Sequence, residues 1–382
     1  MKHNFDQLIS RNETYSTKWL KFSDESIIPM WIADMDFVCP TEITSAIKKR
    51  IDQGIFGYTD TPPSLTDIFT KRVKEQTDWA IEKEWIVWIP GGVVGLNVAC
   101  KTVLAPGQLT MVPSPIYKPF IDAPVNMDRG FVKTHLIDNE GRLEFDLEAI
   151  KTLLTHDTKM FFLCNPQNPG GTVFSKQEIE EISALCEQKG IIVCSDEIHS
   201  DLILEEGLKH IPFASLNSYS KDNSITLMGP CKTFNIAGFP IATAIIPNKE
   251  LREDFVRNTK GIVAHIDSVA FVAAEAAYSD AQAWHSDLIT YLKSNKKLLL
   301  ERINNIEGLS LKGPEAGFLA WIDCSNSGLE NPADFFIKEA KVGVYDGAWF
   351  GDKNYVRLNF GCPNSVLEEA LVRIEKAFSQ RN

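Results

Sequence analysis

The sequence predicts an α/β protein whose main sheet is mostly parallel and lies between helices. The sequence contains seven short runs rich in apolar and branched residues, and most of them are continuous rather than alternating, which is typical of strands buried on both faces. Segments with helical spacing separate these runs, and regular strand–helix alternation predicts a parallel sheet. The seven predicted strands are 85–89, 108–113, 131–137, 159–164, 190–195, 224–228 and 241–246.

One of the separating helices carries start and stop signals. The segment 175–188 opens with Ser175 and Glu178, which have the spacing of a capping box. Gly190 follows the segment, and glycine favours termination because it adopts the left-handed backbone found after helices. We therefore expect a helix that ends directly before the next predicted strand.

The last hundred residues show a different order of elements. A long helical pattern covers about 280–305, and it is followed by predicted strands near 309–312, 317–323 and 354–360. A final helix is predicted near 364–378. This order predicts a smaller α+β domain.

The chain is long enough for two domains, since a single core stops growing near about 250–300 residues. We expect residues 1–44 to form an N-terminal arm and part of the small domain. Residues 45–280 are predicted to form the large domain, and residues 281–382 the C-terminal part of the small domain. Both ends of the chain would then contribute to one domain.

Composition and charge exclude several classes of protein. Lys and Arg number 39 and Asp and Glu number 51, so the formal net charge is −12. A general nucleic-acid binder needs the opposite balance to neutralise phosphates. The sequence shows no apolar run near the roughly 18 residues of a membrane helix, and the eight cysteines form no C-x-x-C pair. We expect a cytoplasmic protein with a small-molecule substrate and without metal, membrane or nucleic acid.

Unusual residues follow four of the predicted strands. In open α/β sheets, ligands bind beyond the carboxyl ends of the strands. The turn Asn165 to Gly171 follows one strand, Asp196 ends the next, and Lys232 lies after another; a Pro-Gly-Gly sequence at 90–92 follows the first. The turn by itself is more typical of a simple connection to a helix than of a ligand site.

The charged residues at these ends each allow two interpretations. A carboxylate at the end of a buried strand is costly unless it is paired, so Asp196 holds either a structural cation or a cofactor. Lys232 lies close to Pro230 and Phe234, and a desolvated lysine has a lowered pKa suited to Schiff-base chemistry. Alternatively, its side chain extends to solvent.

The glycines at 91, 92 and 95 precede an apolar helical pattern and could leave N–H groups free for an anion such as phosphate. The P-loop and dinucleotide glycine motifs are both absent from the sequence, which argues against those ligands. Phosphate donors, a carboxylate for a pyridine nitrogen, a lysine for an aldehyde and an Asn donor for a ring oxygen together match the needs of pyridoxal 5′-phosphate (PLP).

Seven stretches of the chain resemble one enzyme family. They are WIADMDF at 31–37, GY at 57–58, PIYKPF at 115–120, CNPQNPGG at 164–171, SDEIHSDL at 195–202, KTFNIAG at 232–238 and VRLNFGCP at 356–363. In this order they resemble fold-type I PLP enzymes of the class I/II aminotransferase superfamily, and within it the MalY/PatB-type cystathionine β-lyase branch. The resemblance implies an aspartate-aminotransferase-like fold, in which the large domain binds PLP.

The resemblance also implies roles around the cofactor ring. Lys232 would be the Schiff-base lysine and proton shuttle, and Asp196 would pair with the pyridinium nitrogen. Asn168 would hydrogen-bond the ring oxygen, with His199 close to it or purely structural. Tyr117 would stack on the ring, or be an ordinary loop aromatic.

Further positions correspond to the family's phosphate and substrate contacts. Arg357 would clamp the substrate α-carboxylate, together with the backbone near Ala33; a surface ion pair is the alternative. Tyr58 would reach across a homodimer to the partner's phosphate, unless it simply packs in the core. The backbone donors to the phosphate would be Gly92, Val93 and Val94.

The sequence departs from the family at two positions near the lysine. Gly229 and Cys231 stand where the family commonly has serines, which implies a rearranged phosphate cup or weaker PLP retention. The sequence GCPN at 361–364 replaces the more frequent GCPR, for which we have no account.

The implied reaction is carbon–sulfur β-elimination from L-cystathionine or a related L-cysteine S-conjugate, with release of a thiol, pyruvate and ammonia. A PLP-dependent aminotransferase is the first alternative, because it shares the removal of the α-proton. A regulatory or binding protein with vestigial catalysis is the second, although the four family residues at 168, 196, 232 and 357 are all present.

Overall fold

The computed structural model describes residues 3–11 and 13–381. Within these residues, the strands β1 to β13 are, in order, Ile28–Pro29, Ile86–Ile89, Leu109–Ser114, Gly130–Asn139, Arg142–Phe145, Thr158–Cys164, Ile192–Asp196, Ser224–Met228, Ala242–Ile245, Leu319–Asp323, Val342–Gly343, Tyr345–Asp346 and Tyr355–Asn359. The helices α1 to α12 in the same part of the chain are Thr41–Asp52, Pro63–Thr77, Gly92–Val103, Pro119–Asn126, Leu147–Leu153, Lys176–Lys189, Ser218–Asp222, Lys249–Thr259, Ser268–Ser279, Gln282–Ile303, Pro332–Lys338 and Asn364–Ser379.

The large sheet contains all seven strands predicted from the apolar runs. Its order is β2-β9-β8-β7-β6-β3-β4-β5. The pairs β3–β4, β3–β6, β6–β7 and β7–β8 are parallel. The pairs β2–β9, β8–β9 and β4–β5 are antiparallel. The prediction of a mainly parallel α/β sheet is therefore confirmed.

The predicted number of seven strands is one too low. The eighth strand, β5, pairs with β4 as an antiparallel hairpin at the edge of the sheet. Its sequence RLEF is short and alternates charged with apolar residues, so it lacks the continuous apolar pattern used to find the others. The strand predicted near 309–312 is also wrong, since in this part of the described chain only an isolated bridge joins Ser310 to Asp323.

Apolar side chains cover both faces of the large sheet. Phe161 of β6 and Val193 of β7 belong to one hydrophobic cluster, whereas their neighbours Phe162 and Cys194 belong to another. Successive strand residues point to opposite faces, so the two clusters lie on either side of the sheet. This double burial explains why the parallel strands are continuous apolar runs.

The capping signals predicted for α6 are confirmed. The hydroxyl of Ser175 accepts a hydrogen bond from the amide of Glu178 at 3.3 Å, and the Glu178 carboxylate accepts one from the Ser175 amide at 2.8 Å. Gly190 ends the helix with φ of 64°. These bonds satisfy donors that a helix start otherwise leaves unpaired.

A smaller set of strands connects the two ends of the chain. The strands β10, β13 and β12 form an antiparallel sheet in that order, and β1 pairs in parallel with β11. Residues near the N-terminus thus join residues after 340, as expected for a unit built from both chain ends. The domain boundaries at 44 and 280 stay a prediction.

Candidate active site

The carboxyl ends of β2, β6, β7 and β8 lie at the same edge of the large sheet. The strands β6, β7 and β8 are parallel neighbours, and β2 points the same way as β8 because both are antiparallel to β9. The turn with Asn168, the residue Asp196, the loop with Lys232 and the start of α3 therefore share this edge. The sequence expectation that they meet is supported by the topology.

Asp196 ends β7 as a partly buried carboxylate. Its Oδ1 atom accepts a hydrogen bond from the amide of Ile198 at 3.1 Å. Burial raises the pKa of this carboxyl to about 6, and the adjacent Glu197 also favours the protonated form. Within residues 3–11 and 13–381, Asp196 forms no salt bridge, so the structural ion pair considered from the sequence is not found there.

Glu197 was not singled out from the sequence, although it lies next to Asp196. Its side chain is fully buried and accepts hydrogen bonds from the Ser195 hydroxyl at 2.8 Å and the Phe213 amide at 3.0 Å. The other carboxylate oxygen is 2.7 Å from Nε2 of His210. These contacts hold the turn after β7 in place.

Lys232 does not extend to solvent. Its Nζ atom donates a hydrogen bond to the carbonyl oxygen of Ala33 at 2.8 Å. Burial lowers the pKa of Lys232, because the charged ammonium loses hydration. Ala33 thus contacts Lys232. The resemblance to the family had also placed the backbone near Ala33 at the substrate α-carboxylate.

Arg357 lies in β13 and is only 2% exposed. One terminal nitrogen donates to Oδ1 of Asn168 at 2.9 Å, and the other donates to the carbonyl oxygen of Trp31 at 3.1 Å. The guanidinium carbon lies 4.4 Å from the ring centroid of Phe350 and 5.3 Å from that of Tyr345. The alternative of a surface ion pair is therefore wrong.

The surroundings of Arg357 reduce the proton affinity of this side chain. Burial lowers the pKa of Arg357 to about 10, which still leaves it charged near neutral pH. A buried guanidinium without a carboxylate partner is ready to bind an anion. Its Nε atom has no hydrogen-bond partner among the described residues.

His199 and Tyr117 border the same region. Burial lowers the pKa of His199 to about 3, with further contributions from the positive charges of Lys232 and Arg357. Its Nδ1 atom is buried without a partner in the described part of the chain. Tyr117 follows β3, and its ring centroid lies 5.5 Å from that of Trp349. Burial raises the pKa of Tyr117.

The start of α3 presents unpaired backbone donors. Gly91 precedes the helix with φ of 101°, a conformation that favours glycine, and no side chain caps the helix. A Cβ atom on Gly92 would contact the Ile198 side chain at 3.4 Å, so the helix start lies against the turn that follows Asp196. The amides of the first turn belong to Gly92, Val93 and Val94.

Tyr58 is the one predicted site residue that the single chain leaves apart. Its side chain is fully exposed, at 101%, and its ring centroid lies 6.1 Å from that of His265. The alternative of packing in the core is therefore wrong. A contact across a dimer stays a prediction.

Close packing explains the glycine at 229. A Cβ atom on Gly229 would lie 3.0 Å from the carbonyl oxygen of Ile241 and 3.2 Å from Cα of Ala242. The nearby Cys231 thiol donates to the same Ile241 oxygen at 3.2 Å. A serine at 229 would therefore require the backbone at Ile241 and Ala242 to give by a few tenths of an ångström.

Sequence reasoning missed several aromatic and amide side chains beside Arg357. Trp349 and Phe350 lie in the turn before β13, and Tyr345 lies in β12. Asn359 donates to the carbonyl oxygens of Ile32 and Asp34 at 2.6 and 2.9 Å. Only Asn359 and the 31–37 stretch had a sequence signal, because they fall within stretches that resemble the family.

Among the described residues, no group of three or more His, Cys, Asp or Glu side chains could hold a metal ion. In the same residues, every helix is too short or too polar to cross a membrane.

A family model described as "Aminotransferase class I and II" matches residues 26–374. The chain belongs to this family. Among curated members of the aminotransferase class I and II family and its relatives, "Cystathionine beta-lyase PatB" of Bacillus subtilis is 35% identical over 98% of this chain and 100% of its own length.

Solved structures agree with the assignment to the aminotransferase class I and II family. The crystal structure of OvoB has a TM-score of 0.96 and 43% identity, and 99% of each chain is covered. The crystal structure of cystalysin from Treponema denticola, which contains a pyridoxal 5′-phosphate cofactor, has a TM-score of 0.95 and 28% identity, with 100% of both chains covered.

Proposed function

We propose that this protein is a PLP-dependent carbon–sulfur β-lyase that acts on L-cystathionine or related L-cysteine S-conjugates and releases a thiol, pyruvate and ammonia. Its similarity to the curated cystathionine β-lyase over the whole chain supports this reaction. The structural observation that carries the proposal is that Lys232, at the edge of the large sheet, and the buried Arg357, in the small sheet, bind the same short stretch of backbone at Ala33 and Trp31.

The described residues fit the proposed cofactor. Asp196 is a partly buried carboxylate without a salt bridge in the described chain, which suits a protonated pyridine nitrogen. The uncapped start of α3 offers backbone donors to a phosphate at Gly92, Val93 and Val94. Tyr117 would stack on the ring. When bound, PLP supplies an electron sink for negative charge on the substrate Cα.

Arg357 would bind and orient the substrate. A guanidinium forms bidentate hydrogen bonds with a carboxylate, and here it is held by Asn168, Trp31 and the ring of Phe350. The low accessibility of Arg357 excludes most competing water. Fixing the α-carboxylate fixes the direction of the Cα–H bond.

Lys232 would move the α-proton. Burial lowers its pKa and so favours the neutral amine over the ammonium, and the neutral Nζ would be the base that takes the proton from Cα. The Ala33 carbonyl oxygen, 2.8 Å from Nζ, stabilises the ammonium form after the transfer. His199 stays neutral because of its lowered pKa, so it adds no positive charge.

Two alternative functions remain. The first shares the removal of the α-proton and differs afterwards, whereas the second involves no catalysis. An aminotransferase would use the same Lys232 and Arg357 but would return the proton to an atom other than the substrate Cα. The match to the family model "Aminotransferase class I and II" supports this alternative. A binding protein with vestigial catalysis is opposed by the arrangement of Lys232, Asp196 and Arg357. We infer the lyase because the similar curated enzyme is a cystathionine β-lyase.

A homodimer with shared sites is part of the proposal. The stretch that contains Tyr58 also exposes Ile55 at 76% and Phe56 at 59%, which is apolar area available for a second copy. Tyr58 would then contact the phosphate bound by the partner subunit. We further propose that the enzyme is cytoplasmic and that its large and small domains divide near 44 and 280.

The decisive experiment is the release of pyruvate from L-cystathionine by the PLP-supplemented protein without an added keto acid. We expect steady turnover in the wild type and none in Lys232→Ala. Pyruvate-free conversion that needs a keto acid acceptor would contradict the lyase proposal and favour the aminotransferase.

A further inference from the structure

Residues 31–37, which we call the bridging segment, contact both central charged residues of the candidate site. The carbonyl oxygen of Trp31 accepts a hydrogen bond from Arg357 at 3.1 Å. The carbonyl oxygen of Ala33 accepts one from Nζ of Lys232 at 2.8 Å. The placement of both cationic groups therefore depends on the same short stretch of backbone.

The opposite side of the bridging segment is held by a lysine from the N-terminal arm. Lys18 is 1% exposed, and its Nζ atom donates to the carbonyl oxygen of Asp34 at 2.9 Å and to the Asp36 carboxylate at 2.6 Å. In return, the indole nitrogen of Trp31 donates to the carbonyl oxygen of Lys18 at 3.0 Å. A buried ammonium is tolerated only with such partners.

Two other residues of the N-terminal arm, Arg11 and Trp19, also bind carboxylates of the bridging segment. Arg11 binds the carboxylates of Asp34 at 2.9 Å and Asp36 at 3.1 Å. The indole nitrogen of Trp19 donates to Asp36 at 3.2 Å. Lys18 differs from Arg11 because it is buried and because it also binds the backbone of the bridging segment directly.

The third support of the bridging segment comes from the loop that carries the lysine. The Asn235 side chain accepts from the Met35 amide at 3.1 Å and donates to the carbonyl oxygens of Met35 and Phe37 at 3.0 and 2.8 Å. Asn235 follows Lys232 by three positions. The bridging segment is thus fixed between the arm, the Lys232 loop and strand β13.

We propose that Lys18 is a positioning residue of the active site. Its buried ammonium holds the bridging segment in the position at which the carbonyl oxygen of Trp31 binds Arg357 and that of Ala33 binds Lys232. Lys18 acts through its bonds to Asp34 and Asp36, and not through a contact of its own with substrate or cofactor. The effect on catalysis rests on the proposed function, whereas the effect on the bridging segment does not.

Hydrogen exchange on the full-length, PLP-supplemented protein tests the structural part. We expect Lys18→Met to increase the exchange rate of the amides of Asp34, Met35 and Asp36 at least about tenfold, because their local opening becomes easier. The matched control is Lys296→Met, another buried lysine, which is 7% exposed and bound to Glu205. Equal exchange of the three amides in wild type and Lys18→Met would overturn the proposal.

Kinetics test the catalytic part. We expect Lys18→Met to raise KM for L-cystathionine about tenfold with a smaller change in kcat, because Arg357 is held less firmly. Lys296→Met should lower stability without changing KM. A KM of Lys18→Met equal to that of the control would overturn the proposed positioning role.

A second variant covers a failure of Lys18→Met to fold. Lys18→Gln keeps a hydrogen-bond donor but loses the charge, and its side chain is shorter. The same criteria for the exchange rates and for KM apply to this variant. If the wild type itself releases no pyruvate from L-cystathionine, the proposed function fails, and the exchange rates of the three amides still decide whether Lys18 holds the bridging segment.

Discussion

The amide oxygen of Asn168 accepts a hydrogen bond from Arg357 at 2.9 Å, although 189 positions separate the two residues in the chain. Asn168 follows strand β6 of the large sheet, and Arg357 lies in β13 of the small antiparallel sheet. Since the amide oxygen is engaged, the amide nitrogen is the group of Asn168 that can donate to a ligand. The candidate site therefore forms only where the two sheets meet.

Replacing Arg357 with lysine should weaken substrate binding. Lysine keeps the charge but cannot form the planar pair of hydrogen bonds with a carboxylate. We expect KM for L-cystathionine to rise about 30-fold, which corresponds to about 2 kcal/mol. Arg302→Lys, at a partly exposed arginine paired with Glu375, is the control. An unchanged KM in Arg357→Lys would mean that the α-carboxylate binds elsewhere.

Lys232→Ala should remove the visible absorption that added PLP acquires on binding covalently to the wild-type protein. The side chain is the amine at the shared sheet edge, and its pKa is lowered by burial. The far-ultraviolet circular dichroism spectrum should stay unchanged. Lys341→Ala, which removes a surface ion pair with Asp24, should retain the absorption. Persistence of the wild-type band in Lys232→Ala would exclude this lysine as the attachment point.

Asp196 should make the stability of the cofactor-free protein depend on pH. Its pKa is raised from 3.8 to about 6, so the folded state binds this proton more tightly than the unfolded chain does. The stabilising contribution is therefore complete below about pH 4 and is lost as the pH rises through about 6.

Asp196→Asn isolates this effect, because asparagine has a similar shape and does not titrate. Between pH 4 and pH 8, we expect the variant to gain about 3 kcal/mol of unfolding free energy relative to the wild type. Urea denaturation at several pH values measures the difference. A constant difference across this range would show that the Asp196 carboxyl has an ordinary pKa.

Gly229→Ser should not create a better phosphate site. The added Cβ would lie 3.0 Å from the Ile241 carbonyl oxygen, so the backbone directly before strand β9 must give by a few tenths of an ångström. We expect a loss of about 1–3 kcal/mol of stability and no gain in PLP affinity. Gly238→Ser is the control, since nothing lies within 4 Å of a Cβ at that position. Tighter PLP binding by Gly229→Ser would show that the pocket tolerates the serine.

Local patterns in the sequence were sufficient for most of the fold. Continuous apolar runs located most of the seven main strands, because a strand buried on both faces must be apolar throughout. The capping box at Ser175 and the glycine at 190 fixed the ends of α6 for equally local reasons. The hairpin strand at Arg142–Phe145 was missed because it is short and its sequence alternates between charged and apolar residues, as is typical of an edge strand.

Residue types and their order also indicated the candidate site. Asp196 and Lys232 stood out because charged groups directly after buried apolar strands need a partner or a function. The turn with Asn168 and the glycines before α3 completed a set that suits PLP. Recognition of the family stretches added Arg357 and Tyr58.

The tertiary structure alone decided how these groups act on one another. The pKa of Asp196 is raised and that of Lys232 lowered because of burial, which depends on neighbours distant in the sequence. The bonds from Arg357 to Asn168 and from Lys18 to Asp34 join segments from separate elements. Such contacts carry no local pattern, since their free energy comes from the desolvation and pairing that only the folded chain provides.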